Sequence, residues 1–151
     1  MLKKSARGFT LIELLVVIGI LAVLLAIVLI AINPARQFAQ ANNTKRSSDV
    51  NAMLNAIHQF MADNRGTLPT GITQVVLPIA NGVGEADLCA QLVTLYLAAL
   101  PQDPQSNNGV PITACGAAYD SGYTVVSSAA DNRVTVTAPS AQLGAVISVT
   151  R

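Results

Sequence analysis

One stretch constrains this chain more than any other. From Leu14 to Ile32 there are 19 consecutive uncharged residues, and only Gly19 among them is not strongly apolar. As a helix, this run is about 28 Å long, close to the roughly 30 Å hydrocarbon thickness of a bilayer. Starting at Phe9 adds a further turn, interrupted only by Glu13. The chain as a whole is 52% hydrophobic and 11% charged. Outside the apolar run, the hydrophobic share falls to roughly 46%, an ordinary globular value. The pattern is one membrane-length segment joined to a soluble-type domain. It excludes a multi-span transporter and a disordered chain. A net charge of +1, with three of the nine cations in the first eight residues, argues against a basic nucleic-acid binder.

The flanks of the run give its direction. Met1–Gly8 holds Lys3, Lys4 and Arg7 and no acid. Cations at this end keep it cytoplasmic, so the C-terminal body is expected to be exported. A cleaved secretory signal is the plain alternative. Its apolar core runs about 7–15 residues, shorter than this one, and no small-x-small cut site follows at Asn33-Pro34.

The junction Lys3-Lys4-Ser5-Ala6-Arg7-Gly8-Phe9-Thr10-Leu11-Ile12-Glu13-Leu14 joins a basic leader, a glycine, a phenylalanine and a glutamate. It resembles the class III signal of type IV prepilins and type II secretion pseudopilins. The resemblance covers residues 1–32 and implies cleavage after Gly8 by a prepilin peptidase, followed by N-methylation of Phe9. It also implies an inner-membrane assembly platform and a helical homopolymer. In that family the glutamate at the position of Glu13 meets the N-terminal amine of a neighbouring subunit as the filament grows. Physical chemistry points the same way. A carboxylate well inside a membrane helix costs roughly 2.5–3.5 kcal/mol on insertion scales and is expected to have a partner. Cleavage would also remove the leader's +3, leaving mature side chains that sum to −2. The positive anchor is then gone from a segment that must leave the bilayer.

Asn33-Pro34 predicts a kink or short melted stretch, because proline removes an amide donor and restricts the residue before it. Asn33 suits a cap and Pro34 a first helical position. Beyond them, Val50, Met53, Leu54, Ile57, Phe60 and Met61 mark one buried helical face. Asn42, Lys45, Arg46 and Asp49 are assigned to the wetter side, and Gly66 to the stop. Residues 34–65 are thus expected to continue the 9–33 segment as the amphipathic half of one long helix. Residues 66–151 form a head, in an α+β, type IV pilin-like arrangement. In the head, Thr67–Gly84 reads as loop with one short strand, and Glu85–Leu100 as a short helix. Tyr123–Ser127, Arg133–Thr137 and Ala145–Thr150 read as strands of an antiparallel meander of three to four strands, with Asp131-Asn132 as a turn.

Cys89 and Cys115 are expected to be disulfide-bonded, since export places them where disulfides persist. Closing that loop is worth roughly 3.5 kcal/mol in the chain-entropy model. A buried thiol pair or a metal site is the alternative, but two cysteines and the single His58 do not make four zinc ligands. His58 is assigned to the edge of the packed helix face. Asp103, Asp120 and Asp131 are read as solvated loop acids, because their spacing is not that of a calcium loop. Asn42-Asn43-Thr44 is read as a chance glycosylation triplet. No catalytic constellation, metal site or cofactor motif is present in the sequence, and nothing specific to nucleic acid is evident. The expected function is structural: a type IV pilin, anchored in the cytoplasmic membrane before assembly and extracellular after it. A type II secretion pseudopilin is the alternative, and an uncleaved single-pass adhesion or binding module the third reading.

Overall fold

The computed structural model describes residues 8–151, so Lys3, Lys4 and Arg7 of the leader lie outside the described residues. The chain divides into two compact units, Met1–Gln37 and Phe38–Arg151.

In the first unit, helix α1 spans Leu11–Ile32 and buries none of its residues. Its apolar window has a mean hydropathy of 3.5, and it is long and apolar enough to cross a membrane. The helix ends because Pro34 forbids Asn33 the helical conformation. Asn33 instead turns left-handed (φ 47°), which asparagine tolerates better than most side chains. Its carbonyl accepts from the N–H groups of Arg36 and Gln37, at 3.1 and 3.4 Å. One residue thus closes α1 and opens α2, which runs Pro34–Asp63 with proline at its first position.

The second unit is built on α2 and a four-stranded antiparallel sheet, β1 Leu77–Ala80, β2 Asp120–Ser127, β3 Val134–Ala138 and β4 Ile147–Thr150. The strands lie in sequence order, so the sheet is a meander. Register is set by alternation. Val134, Val136 and Ala138 of β3 are buried, while Thr135 and Thr137 face outward. The two threonines meet Thr150 and Ser148 of β4 across the ladder, at 2.8 and 3.0 Å. Val136 sits opposite Val125 of β2 on one side and Val149 of β4 on the other. The core joins Val50, Met53, Leu54 and Ile57 of α2 to Tyr123, Val125, Val134 and Val136 of the sheet. The expected apolar stripe of α2 is therefore a packing face. The stop comes slightly earlier than expected. Arg65 takes the left-handed position (φ 55°), and Gly66 N–H returns to the Met61 carbonyl at 2.7 Å, the six-residue bond of a Schellman ending.

The segment Glu85–Leu100 departs from expectation. Only Cys89–Leu92 is helical, here α3. Upstream, Ala86 N–H is taken by the Pro78 carbonyl at 2.9 Å. Downstream, Val93 is extended and Thr94 is left-handed (φ 77°). Leu95, which a helix over Glu85–Leu100 would place on one face with Leu88 and Leu92, is 79% exposed, while those two are buried. Tertiary partners for the backbone overrode a leucine periodicity that was adequate on its own.

Candidate functional site

The candidate processing and assembly site is where α1 begins. Gly8, Phe9 and Thr10 lie outside the helix. Thr10 is the N-cap, in extended conformation (φ −83°, ψ 151°). Its N–H and its hydroxyl both donate to Glu13 Oε2, at 2.8 and 2.7 Å, and Glu13 N–H donates back to Thr10 Oγ1 at 3.2 Å. This is a complete capping box, which satisfies donors that a helix end otherwise leaves open. It fixes two things about the junction. The helix cannot extend back through Phe9, so the Gly8–Phe9 peptide bond stays non-helical. The Glu13 carboxylate is also held by Thr10, one turn from Phe9, where cleavage would expose an amine. Thr10 was not among the expected site residues, yet Thr10-Leu11-Ile12-Glu13 spells the box openly.

In the second unit a few polar groups of α2 point inward. Arg46 was expected on the wet face, but it is completely buried. Its Nε donates to Asp103 Oδ2 at 2.7 Å and its Nη2 to Asp103 Oδ1 at 3.0 Å, a two-pronged ion pair. Gln105 Oε1 accepts from Nη2 and Asn43 Oδ1 from Nη1, at 2.8 and 3.1 Å. Asn43 in turn exchanges bonds with the backbone of Gln142. Asn42 donates its amide to Gln142 Oε1 at 3.2 Å, so the glycosylation triplet faces a protein partner. Asp103 is therefore not a solvated loop acid. Burial pushes its carboxyl up, but the Arg46 bonds and the Gln105 N–H outweigh burial and leave it below the usual carboxylate value.

All three tyrosines, Tyr96, Tyr119 and Tyr123, donate to aspartates: Asp63, Asp87 and Asp49 respectively, at 3.0, 2.7 and 2.8 Å. Burial, reinforced by the neighbouring carboxylate, pushes the Tyr119 and Tyr123 phenols well above their ordinary value. Cys89 and Cys115 form a disulfide with Cα atoms 5.3 Å apart. It ties α3 to the loop before β2.

The remaining acids do not converge. Asp120 and Asp131 each accept from the backbone of their own turns, at Gly122 and Arg133. Among the described residues no group of three or more His, Cys, Asp or Glu is placed to hold a metal ion. His58 is half-buried on α2, and among the described residues its Nε2 has no hydrogen-bond partner.

Residues 3–29 match the family model of the prokaryotic N-terminal methylation motif. No curated protein and no solved structure matches the chain. The match takes in Gly8, Phe9, Thr10 and Glu13 together with most of α1. The chain carries the class III signal peptide of type IV pilin and pseudopilin precursors, a structural rather than an enzymatic motif.

Proposed function

We propose that this protein is a type IV pilin, the structural subunit of a surface filament. A prepilin peptidase cuts after Gly8 and the new Phe9 amine is methylated. Before assembly, α1 spans the cytoplasmic membrane with its N-terminus on the cytoplasmic side. An assembly platform then draws the subunit into a helical homopolymer, where α1 exchanges lipid for neighbouring copies of itself. Glu13 pairs with the Phe9 amine of an adjacent subunit, and Pro34 opens the helix that carries the head. One observation carries this reading: a processing motif placed directly on a 22-residue apolar helix that buries nothing within its own chain.

The test is an intact mass under non-reducing conditions, on sheared surface material and on washed membranes. A sheared species lacking Met1–Gly8, heavier by one methyl group and lighter by two hydrogens than the cut, reduced chain, is the expected result. The same species confined to membranes points instead to a pseudopilin of a type II secretion system or to a rare minor pilin. A full-length mass in both fractions overturns the filament reading in favour of an uncleaved anchored module.

A further inference from the structure

The two edges of the sheet are finished differently. At the β1 edge Pro78 has no N–H to offer, and its carbonyl already accepts from Ala86 N–H at 2.9 Å. The register of β1 also shifts between Pro78 and Ala80. Proline, an irregular register and a covering segment are the devices that blunt a sheet edge against pairing with another chain. Strand β4 has none of them. It contains neither proline nor a charged residue, and its register with β3 is unbroken from Ile147 to Thr150.

Alternation fixes which backbone groups β4 leaves open. Arg151 and Val134 exchange both backbone hydrogen bonds, at 2.7 and 3.0 Å. Bonded pairs recur at every second residue of an antiparallel ladder, so the next ones are Val149 with Val136 and Ile147 with Ala138. Ser148 and Thr150 then turn their N–H and C=O groups away from β3. Among the described residues, none of these four groups has a backbone partner. Both residues are exposed, and Val146, which leads into the strand, is 89% exposed.

We propose that β4 pairs with β4 of a second copy, antiparallel about Ser148, so that two sheets join into one. A row of alternating donors and acceptors is matched by another extended backbone. With the β1 edge blunted, two copies can meet edge to edge only through β4. The direction follows from charge. Antiparallel pairing keeps the two Arg151 side chains at opposite ends of the ribbon, whereas parallel pairing in register would set them side by side, which is unfavourable. Such a contact is two-fold and closes on itself, so it couples copies in pairs and does not replace the packing of α1 along a filament. Every group it uses lies in the second unit, so it stands or falls apart from leader cleavage and filament formation.

The test is amide hydrogen exchange on the full chain in dodecylphosphocholine micelles, at low and high protein concentration. Exchange at Ser148 and Thr150 should slow as concentration rises, while Val149, already bonded to β3, should not change. Ser148→Pro removes an outward donor and leaves the β3 ladder its bonds, as proline on a strand edge allows. It should weaken pairing by about tenfold or more, since each copy loses a hydrogen bond. Ser148→Ala also loses the hydroxyl contact with Thr137 but keeps the N–H, and should pair as the parent does. Thr150→Pro repeats the test at the second outward donor, should Ser148→Pro fail to fold. The proposal is overturned if exchange at Ser148 and Thr150 does not depend on concentration, if a folded proline variant pairs as the parent does, or if Ser148→Ala abolishes pairing.

Discussion

Helices α1 and α2 treat an awkward charge in opposite ways. Helix α1 is the more apolar, yet none of its residues is buried within the chain. Helix α2 is mostly polar, yet it supplies Val50, Met53, Leu54 and Ile57 to the core and buries an arginine outright. Apolarity alone does not make a core; a face of the right spacing does. The charges follow the same division. Glu13 is satisfied three residues away by Thr10, within the first turn of its own helix. Arg46 is satisfied by Asp103, 57 residues further along the chain. One arrangement is local and leaves the rest of α1 open to whatever surrounds it. The other makes a loop and a turn part of the helix's environment.

If the α1 surface is meant for other copies of the chain, removing its one charge should act on assembly alone. Glu13→Ala is expected to be cleaved and methylated normally but to yield few or no filaments, scored by electron microscopy beside intact mass. Normal filaments from that variant would remove Glu13 from the assembly site.

The buried pair in the second unit predicts the opposite, a loss of fold. Asp103→Ala leaves Arg46 buried and unpaired, at a cost of about 3–5 kcal/mol. Replacing both, as Arg46→Met with Asp103→Leu, should restore most of that loss, because an apolar pair of similar volume avoids the desolvation of two ions. Denaturant unfolding of the full chain in micelles gives both values. A small effect of Asp103→Ala would mean that water reaches the pair. Cys89→Ser should be nearly as damaging, at about 3.5 kcal/mol by loop closure, and unchanged thermal stability would show the bridge to be dispensable.

The contrast also explains which parts of the molecule were legible in the sequence. The long apolar helix, the α2 stripe and the β3 alternation were readable because each is a local pattern. The Thr10–Glu13 box was equally local, with its signature in plain view. Arg46 was not readable as buried. It sits beside Lys45 and near Asp49 on what looks like a wet face, and only the arrival of Asp103 and Gln142 by tertiary folding reverses that. Asp103 looked like any loop acid for the same reason. The Glu85–Leu100 region failed in the other direction. Its leucines kept helical spacing, but Ala86 N–H went to the Pro78 carbonyl of β1 and Thr94 N–H to the Leu97 carbonyl in a tight local turn.

The tyrosine–aspartate pairs give a pH test of the second unit alone. The Tyr119 and Tyr123 phenols are raised in the folded state, chiefly by burial and then by Asp87 and Asp49. Their contribution is fully present below the unfolded value of 10.0 and is lost as pH rises beyond it. Asp103 has the reverse sign: lowered in the folded state, it stabilises above the unfolded value of 3.8 and loses that contribution as pH falls. Tyrosinate absorbance should therefore lag free tyrosine and rise together with unfolding. A normal titration near pH 10 before any loss of structure would mean that the phenols are not held by their aspartates.

The smallest effect expected is at Thr10. Thr10→Val keeps the shape of the side chain and removes the hydroxyl, so Glu13 N–H loses its acceptor and the carboxylate one of its two donors. An N-cap of this kind is worth about 1 kcal/mol. The loss should stay within the first turn of α1, seen as faster amide exchange at Glu13 and Leu14, with no change in the unfolding of the second unit. Thr10→Ser should restore protection, because it keeps the oxygen. If Thr10→Val destabilised the sheet and core as Asp103→Ala does, the two helices would not differ in the way argued above, and Glu13 would belong to a network wider than its own turn. Confinement to Leu11–Leu14 would instead leave the Glu13 carboxylate as a group that Thr10 alone holds in place, and that a stronger donor such as an amine can displace.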